Sequence, residues 1–124
     1  MITVNPDAFS EDIAQKLRQR PALHSVQYAM DYRCNLACVH CYAEGAEERS
    51  PPLLSVAEVR DLFRQFAELG CLHCTVTGGE PLLCPDFEGR WTAIAEQGIR
   101  RLLFTNATRV DDRVAAFLRE TPPD

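Results

Sequence analysis

Cys34, Cys38 and Cys41 lie within eight positions of one another in the stretch CNLACVHCY, and they make up half of the six cysteines in this 124-residue chain. Thiolates are soft donors suited to zinc, copper(I) and iron–sulfur centres. Spaced Cys-x3-Cys-x2-Cys in one loop, three of them can converge on a single inorganic centre. A structural zinc ion closes a shell of four ligands, and an iron–sulfur cubane is ordinarily held by four cysteines. Three cysteines on a four-iron cluster would leave one iron open to a ligand that is not protein. A zinc shell completed by His40, His73 or Cys74 stays open at this level.

The other thiols carry less. Cys71 and Cys74 form a Cys-x2-Cys pair, but residues three apart on a strand point to opposite faces. They read as small, partly buried side chains. Cys84 has no partner in sequence and reads as incidental.

The whole chain sets the bounds. Its length fits one domain with a modest core. A net charge of −5, from 13 basic and 18 acidic residues, gives no electrostatic reason to expect nucleic acid. Arg18-Gln19-Arg20 and Arg100-Arg101 read as solvated faces. No apolar run approaches the ~18 residues of a membrane span, and the start, MITVNPDAFSEDIAQKL, lacks the apolar core of a secretory signal. The expected location is the cytoplasm, where thiols stay reduced and six cysteines do not imply disulfides.

The elements that must position the cysteine loop alternate. Residues 7–20 have a weak helical pattern, part of a lead-in over 1–24 that precedes a core over 25–124. Residues 25–33 alternate with period two, Val26, Tyr28, Met30 and Tyr32 against Gln27, Ala29, Asp31 and Arg33, and predict a strand. After the loop and a polar stretch, Ser55 and Glu58 form a capping box. Val56, Val59, Leu62, Phe63 and Phe66 then recur at helical spacing up to Gly70. Residues 71–77 predict a second strand, broken by GGEP. Asp86 is placed to cap a helix with Phe87, Trp91, Ile94 and Ala95 on one face and Gly98 as its stop. Residues 99–104 predict a third strand, TNAT follows, and residues 110–119 predict a helix carrying Val114, Phe117 and Leu118.

Three strand–helix units imply an α/β fold with a parallel sheet covered by helices and right-handed crossovers. In such sheets, sites form at the carboxyl ends of the strands. The cysteine loop, GGEP and TNAT each follow a strand, so all three are expected at one edge. Gln27, Asp31, Arg33 and His73 are candidates to face a cavity on the sheet.

CNLACVHCY followed by TGGEP and TNAT resembles the radical S-adenosylmethionine superfamily, and most of all its peptide-, tetrapyrrole- and cofactor-modifying branch. The resemblance spans about residues 25–110. It implies the first three units of a partial (βα)6 TIM-like barrel. It further implies that Cys34, Cys38 and Cys41 bind a [4Fe–4S] cluster whose open iron is chelated by S-adenosylmethionine. Reductive cleavage then gives a 5′-deoxyadenosyl radical that abstracts hydrogen from substrate. The remaining roles implied are a Tyr42 aromatic beside the adenine, acceptors for the cofactor's ammonium from the Gly78 and Gly79 carbonyls and the Glu80 carboxylate, and a turn stiffened by Pro81. Thr105 and Asn106 would bond the ribose or methionine carboxylate. The family often has glycine where Ala107 stands. Expected partners are an electron donor such as flavodoxin or ferredoxin, a peptide, tetrapyrrole or small-molecule substrate, and a possible second chain completing the barrel. The competing readings are a zinc-binding interaction module and an inactive truncated fragment.

Overall fold

A computed structural model describes residues 23–43 and 51–124. The expected lead-in helix over 7–20 and residues 44–50 of the cysteine loop's continuation lie outside these. The described elements run β1 (Ser25–Asp31), α1 (Val56–Glu68), β2 (His73–Gly78), a 3-10 turn (Pro81–Leu83), α2 (Phe87–Ala95), β3 (Arg100–Leu103) and α3 (Asp112–Glu120). The strands form one sheet in the order β1-β2-β3, and both pairings are parallel. The expected α/β architecture is therefore present, with strand and helix boundaries within about three residues of the sequence-based ones.

Local chemistry explains each helix start. Ser55 caps α1 and receives the Glu58 backbone N–H, while the Ser55 N–H donates to Glu58 Oε2 at 2.7 Å, a complete capping box. Asp111 caps α3 through the Val114 N–H at 2.8 Å. Asp86 departs from expectation. It occupies the position before α2 but makes no capping hydrogen bond. Its φ of 54° is left-handed, whereas a capping side chain reaches the first-turn N–H groups from extended backbone. Aspartate tolerates that conformation better than most residues.

The helices cover one face of the sheet. Met30, Cys74 and Val76 from the strands bury against Val59 and Phe63 of α1 and Phe87, Trp91 and Ile94 of α2. Tyr28 meets Phe63 edge-on with centroids 5.4 Å apart, a geometry favoured by the ring quadrupoles. The opposite face carries Gln27, Ala29, His73, Thr75 and Thr77, continued by Leu102 on β3 and by Phe104 just after it. Leu102 and Phe104 are exposed.

A bulge in β1 corrects the simple alternation. Ala29 pairs with Thr77, and the next pair is Asp31 with Gly78, so Met30 is the extra residue. One unpaired residue reverses the facing of everything after it. Asp31 thus turns to the helix side and is buried, and Tyr32 joins Gln27, Ala29 and Thr77 on the open face. Arg33 folds back onto Asp31. Of the residues expected to face a cavity, Gln27 lines a hollow on the open face and His73 is exposed on that face outside it, while Asp31 is buried on the other side with Arg33 bonded to it.

Cys71 also corrects a reading. It precedes β2 rather than lying on it, so strand geometry does not separate it from Cys74, and both enter the core with Cys84. Burial raises all three thiol pKa values and pushes that of Cys74 up to about 12. Cys34, Cys38 and Cys41 are exposed. Only a thiolate alkylates readily. Iodoacetamide at neutral pH is therefore expected to modify Cys34, Cys38 and Cys41 in the metal-free folded chain, and all six cysteines in denaturant, as counted by mass spectrometry; rapid native labelling of Cys74 would contradict this packing.

Candidate metal and cofactor site

The end of β1 and the end of β2 meet backbone to backbone. The Gly79 N–H donates to the Asp31 carbonyl at 2.8 Å, and the Glu80 N–H donates to the Arg33 carbonyl at 2.8 Å. The approach is so close that a Cβ on Gly78 would strike the Asp31 carbonyl oxygen, and one on Gly79 would strike the carbonyl oxygens of Tyr32 and Arg33. Gly78 also has a φ of 140°, which side chains disfavour. The residue pair is thus required by the approach of the chain's own first strand, whatever ligand lies beyond it.

Asp31 secures the same junction from its side chain. Its Oδ1 receives the Arg33 N–H at 3.1 Å, and its Oδ2 receives Arg33 Nε at 2.9 Å and also Nη2. Burial works to raise the Asp31 pKa, but these bonds and the guanidinium charge outweigh it and hold the carboxyl below its usual value.

Glu80 is fully buried and ties two loops together. Oε1 accepts from the Leu82 N–H at 2.9 Å and from the Thr105 hydroxyl at 2.7 Å, and Oε2 accepts from the Asn106 N–H at 2.7 Å. Three of the roughly four acceptor positions of a carboxylate are thereby filled from within the fold. Pro81, also buried, begins the 3-10 turn beside it.

The cysteine loop joins the same cluster. The Cys41 N–H donates to the Cys38 carbonyl at 3.1 Å, closing a turn between the last two cysteines. The Asn106 side chain reaches Asn35 Oδ1 at 3.1 Å and Cys34 Sγ at 4.0 Å, and Asn35 Nδ2 reaches the Thr108 hydroxyl at 2.8 Å. Asn35 and Thr108 were not singled out by spacing, although each sits inside a motif that was. Ala107, between Asn106 and Thr108, has a φ of 60°, a left-handed backbone that glycine adopts more readily than alanine. The Tyr42 and Thr77 hydroxyls share a hydrogen bond of 3.0 Å. They border a hollow of about 230 Å³ on the open face with Gln27, Ala29 and Tyr32. A larger cleft of about 710 Å³ lies between the starts of α2 and α3, and none of the expected site residues lines it.

The three loops are therefore brought together as the topology requires. Among the described residues, no three His, Cys, Asp or Glu side chains surround a single metal point. The thiols share an exposed loop rather than a common focus, and exposed side chains change rotamer freely. The donor set itself, three thiols with a turn joining two of them, suits an iron–sulfur cluster. Of the fourth zinc ligands left open by the sequence, His40 is exposed in the same loop, whereas Cys74 is buried on the helix side. His73 starts β2, five residues before Gly78, or about 17 Å along a strand.

Two outcomes are expected of this junction. Gly79→Ala forces the backbone of β1 to move and costs about 3 kcal/mol or more, read as a lowered urea midpoint. Asp31→Asn is less stable than the parent at neutral pH, and the difference shrinks as pH falls below about 4. The sign follows from a folded pKa below the unfolded one, whose stabilisation exists above the unfolded value and vanishes as pH drops through the folded value. A gap constant from pH 7 to pH 3 would contradict it.

A family model described as the Radical SAM superfamily matches residues 28–124. The chain is 35% identical over 95 residues to the Fe-coproporphyrin III synthase of Methanosarcina barkeri, covering 77% of this chain and 24% of that protein. It is 33% identical over 100 residues to the AdoMet-dependent heme synthase of Oleidesulfovibrio alaskensis, covering 81% of this chain and 26% of that one. The chain thus spans about a quarter of the length of these curated relatives. Streptococcus suis SuiB shares the fold. Its structure bound to the precursor peptide SuiA gives a TM-score of 0.71 at 20% identity, covering 94% of this chain and 28% of SuiB. Its structure bound to S-adenosylmethionine gives 0.70 at 20% identity, covering 95% and 29%. These relatives are enzymes by name, the family match spans most of the chain, and its motifs meet at one edge of a parallel sheet: the chain belongs to the radical SAM superfamily.

Proposed function

We propose that Cys34, Cys38 and Cys41 each bind one iron of a [4Fe–4S] cluster, and that S-adenosylmethionine occupies the adjoining edge of the sheet. When bound, the pair supplies a 5′-deoxyadenosyl radical for hydrogen abstraction from a substrate, chemistry that belongs to the cofactors rather than to protein side chains. The observation that carries the reading is the joining of the cysteine loop, the Gly78–Pro81 turn and the Thr105–Thr108 loop by short hydrogen bonds at one sheet edge.

The chain's own residues have distinct tasks in this reading. Gly78 and Gly79 present backbone carbonyls toward the cofactor's ammonium group while closing against β1. Glu80, fully buried, holds that turn rigid with Pro81 and so fixes where those carbonyls point. Tyr42 offers its ring to the adenine from above Thr77. Thr105 and Asn106 form the far wall, near the ribose and methionine carboxylate. The substrate lies over the open face of the sheet, beside Gln27, Ala29 and Thr77, and an external donor of the flavodoxin or ferredoxin kind delivers the electron. A peptide or a tetrapyrrole is the substrate class in keeping with the relatives' names.

Anaerobic reconstitution with iron and sulfide tests the assignment. A brown protein is expected, with an EPR signal after reduction that changes on addition of S-adenosylmethionine. Cys34→Ala, Cys38→Ala and Cys41→Ala should each abolish cluster retention, and Cys84→Ala should leave it intact. A colourless protein holding one tightly bound zinc would overturn the assignment.

A further inference from the structure

The orientation of the Asn106 amide is fixed by its neighbours. Its Oδ1 accepts from the Thr108 backbone N–H at 3.0 Å and from the Thr108 hydroxyl at 2.7 Å. A backbone N–H can only donate, so the oxygen must occupy that side. The Nδ2 hydrogens are left directed at Asn35 Oδ1 and at Cys34 Sγ. The backbone of Asn106 is pinned in turn by the buried Glu80 carboxylate at 2.7 Å. Asn35, the residue after Cys34, is held by the same Thr108 hydroxyl. The result is a rigid N–H donor aimed at the first cysteine from a loop 72 positions away.

We infer that Asn106 is a positioning and tuning residue whose Nδ2–H hydrogen-bonds the Cys34 sulfur, orients it as a ligand and raises the reduction potential of the cluster it holds. The inference rests on the cluster assignment proposed above. One-electron reduction adds negative charge that is shared with the ligating sulfurs, and an N–H donor to sulfur stabilises the reduced form more than the oxidised one. Asn106 then serves the Cys34 ligand through its Nδ2–H, a task separate from its place in the wall near the ribose and methionine carboxylate. Thr108 and Asn35 are the supports that hold the donor in place.

The test is the midpoint potential of the reconstituted cluster, measured by EPR during titration with dithionite and redox mediators. Asn106→Asp preserves size and the acceptor for Thr108 but replaces the donor with an anion, and a lower potential is expected. Thr108→Val keeps Asn106 and removes the hydroxyl that fixes both asparagines, and a smaller fall in the same direction is expected. An unchanged or raised potential in a cluster-loaded Asn106→Asp overturns the inference. Should that variant hold no cluster, Thr108→Val decides: a fall supports the inference, and the parental potential overturns it. A parent chain that takes up no cluster sinks the underlying assignment as well, whereas a loaded parent with unmoved variants sinks this inference alone.

Discussion

The structure depends on one close backbone approach, where Gly79 and Glu80 at the end of β2 donate to the carbonyls of Asp31 and Arg33 at the end of β1. There is no room there for a Cβ. This contact fixes how far β1 and β2 extend in parallel, and it sets where the cysteine loop leaves the sheet. The bulge at Met30 belongs to the same arrangement: it turns Asp31 inward, so that its carboxylate braces Arg33 immediately before the first cysteine. A buried carboxylate is costly unless paired, and Asp31 is paired within two residues of its own position.

Glu80 extends the junction to the third strand. Its carboxylate collects donors from its own turn and from Thr105 and Asn106, so the loops after β2 and β3 cannot move independently. Asn106 then passes the constraint to Asn35 beside the first thiol. Hydrogen bonds to a charged acceptor contribute about 1.5–3 kcal/mol each, and a buried network of this kind rigidifies when every member is satisfied. A site that must hold a reactive centre within a fraction of an ångström needs such support. The acidic residue of the GGEP turn is a clamp on the scaffold.

The rest of the molecule divides between a sealed face and an open one. On the sealed side, Arg101 lies 4.5 Å over the Trp91 ring and hydrogen-bonds the carbonyls of Trp91 and Pro122, locking the segment after α3 against α2. Asp124 bonds both the N–H and the carbonyl of Arg101, so it occupies part of the outer edge of β3. On the open side, polar residues of β1 and β2 give way to the exposed Leu102 on β3 and Phe104 just after it. Among the described residues nothing covers this face, which is unusual for a parallel sheet, and it adjoins the loops at the carboxyl ends of the strands.

Much of this was legible in the sequence. Periodicity marked the three strands and three helices, because strands half-covered by helices alternate and helices packed on a sheet repeat their apolar face. Cysteine spacing marked the loop, because three thiols close in sequence are close in space however the chain folds. The capping box at Ser55 and Glu58 was equally local, and it formed as read. What alternation could not reveal was the bulge at Met30, since nothing in a period-two pattern announces an unpaired residue. Local spacing likewise could not reveal that Cys71 turns into the core, that Asp86 adopts a left-handed backbone instead of capping, or that Gly78 and Gly79 are demanded by a strand some 45 residues earlier. Sequence alone determined which motifs follow the strands and that they share one edge. Only tertiary structure decided which of them bond to one another and which turn into the core, because that choice rests on backbone crossings and hydrogen bonds between segments far apart in the chain.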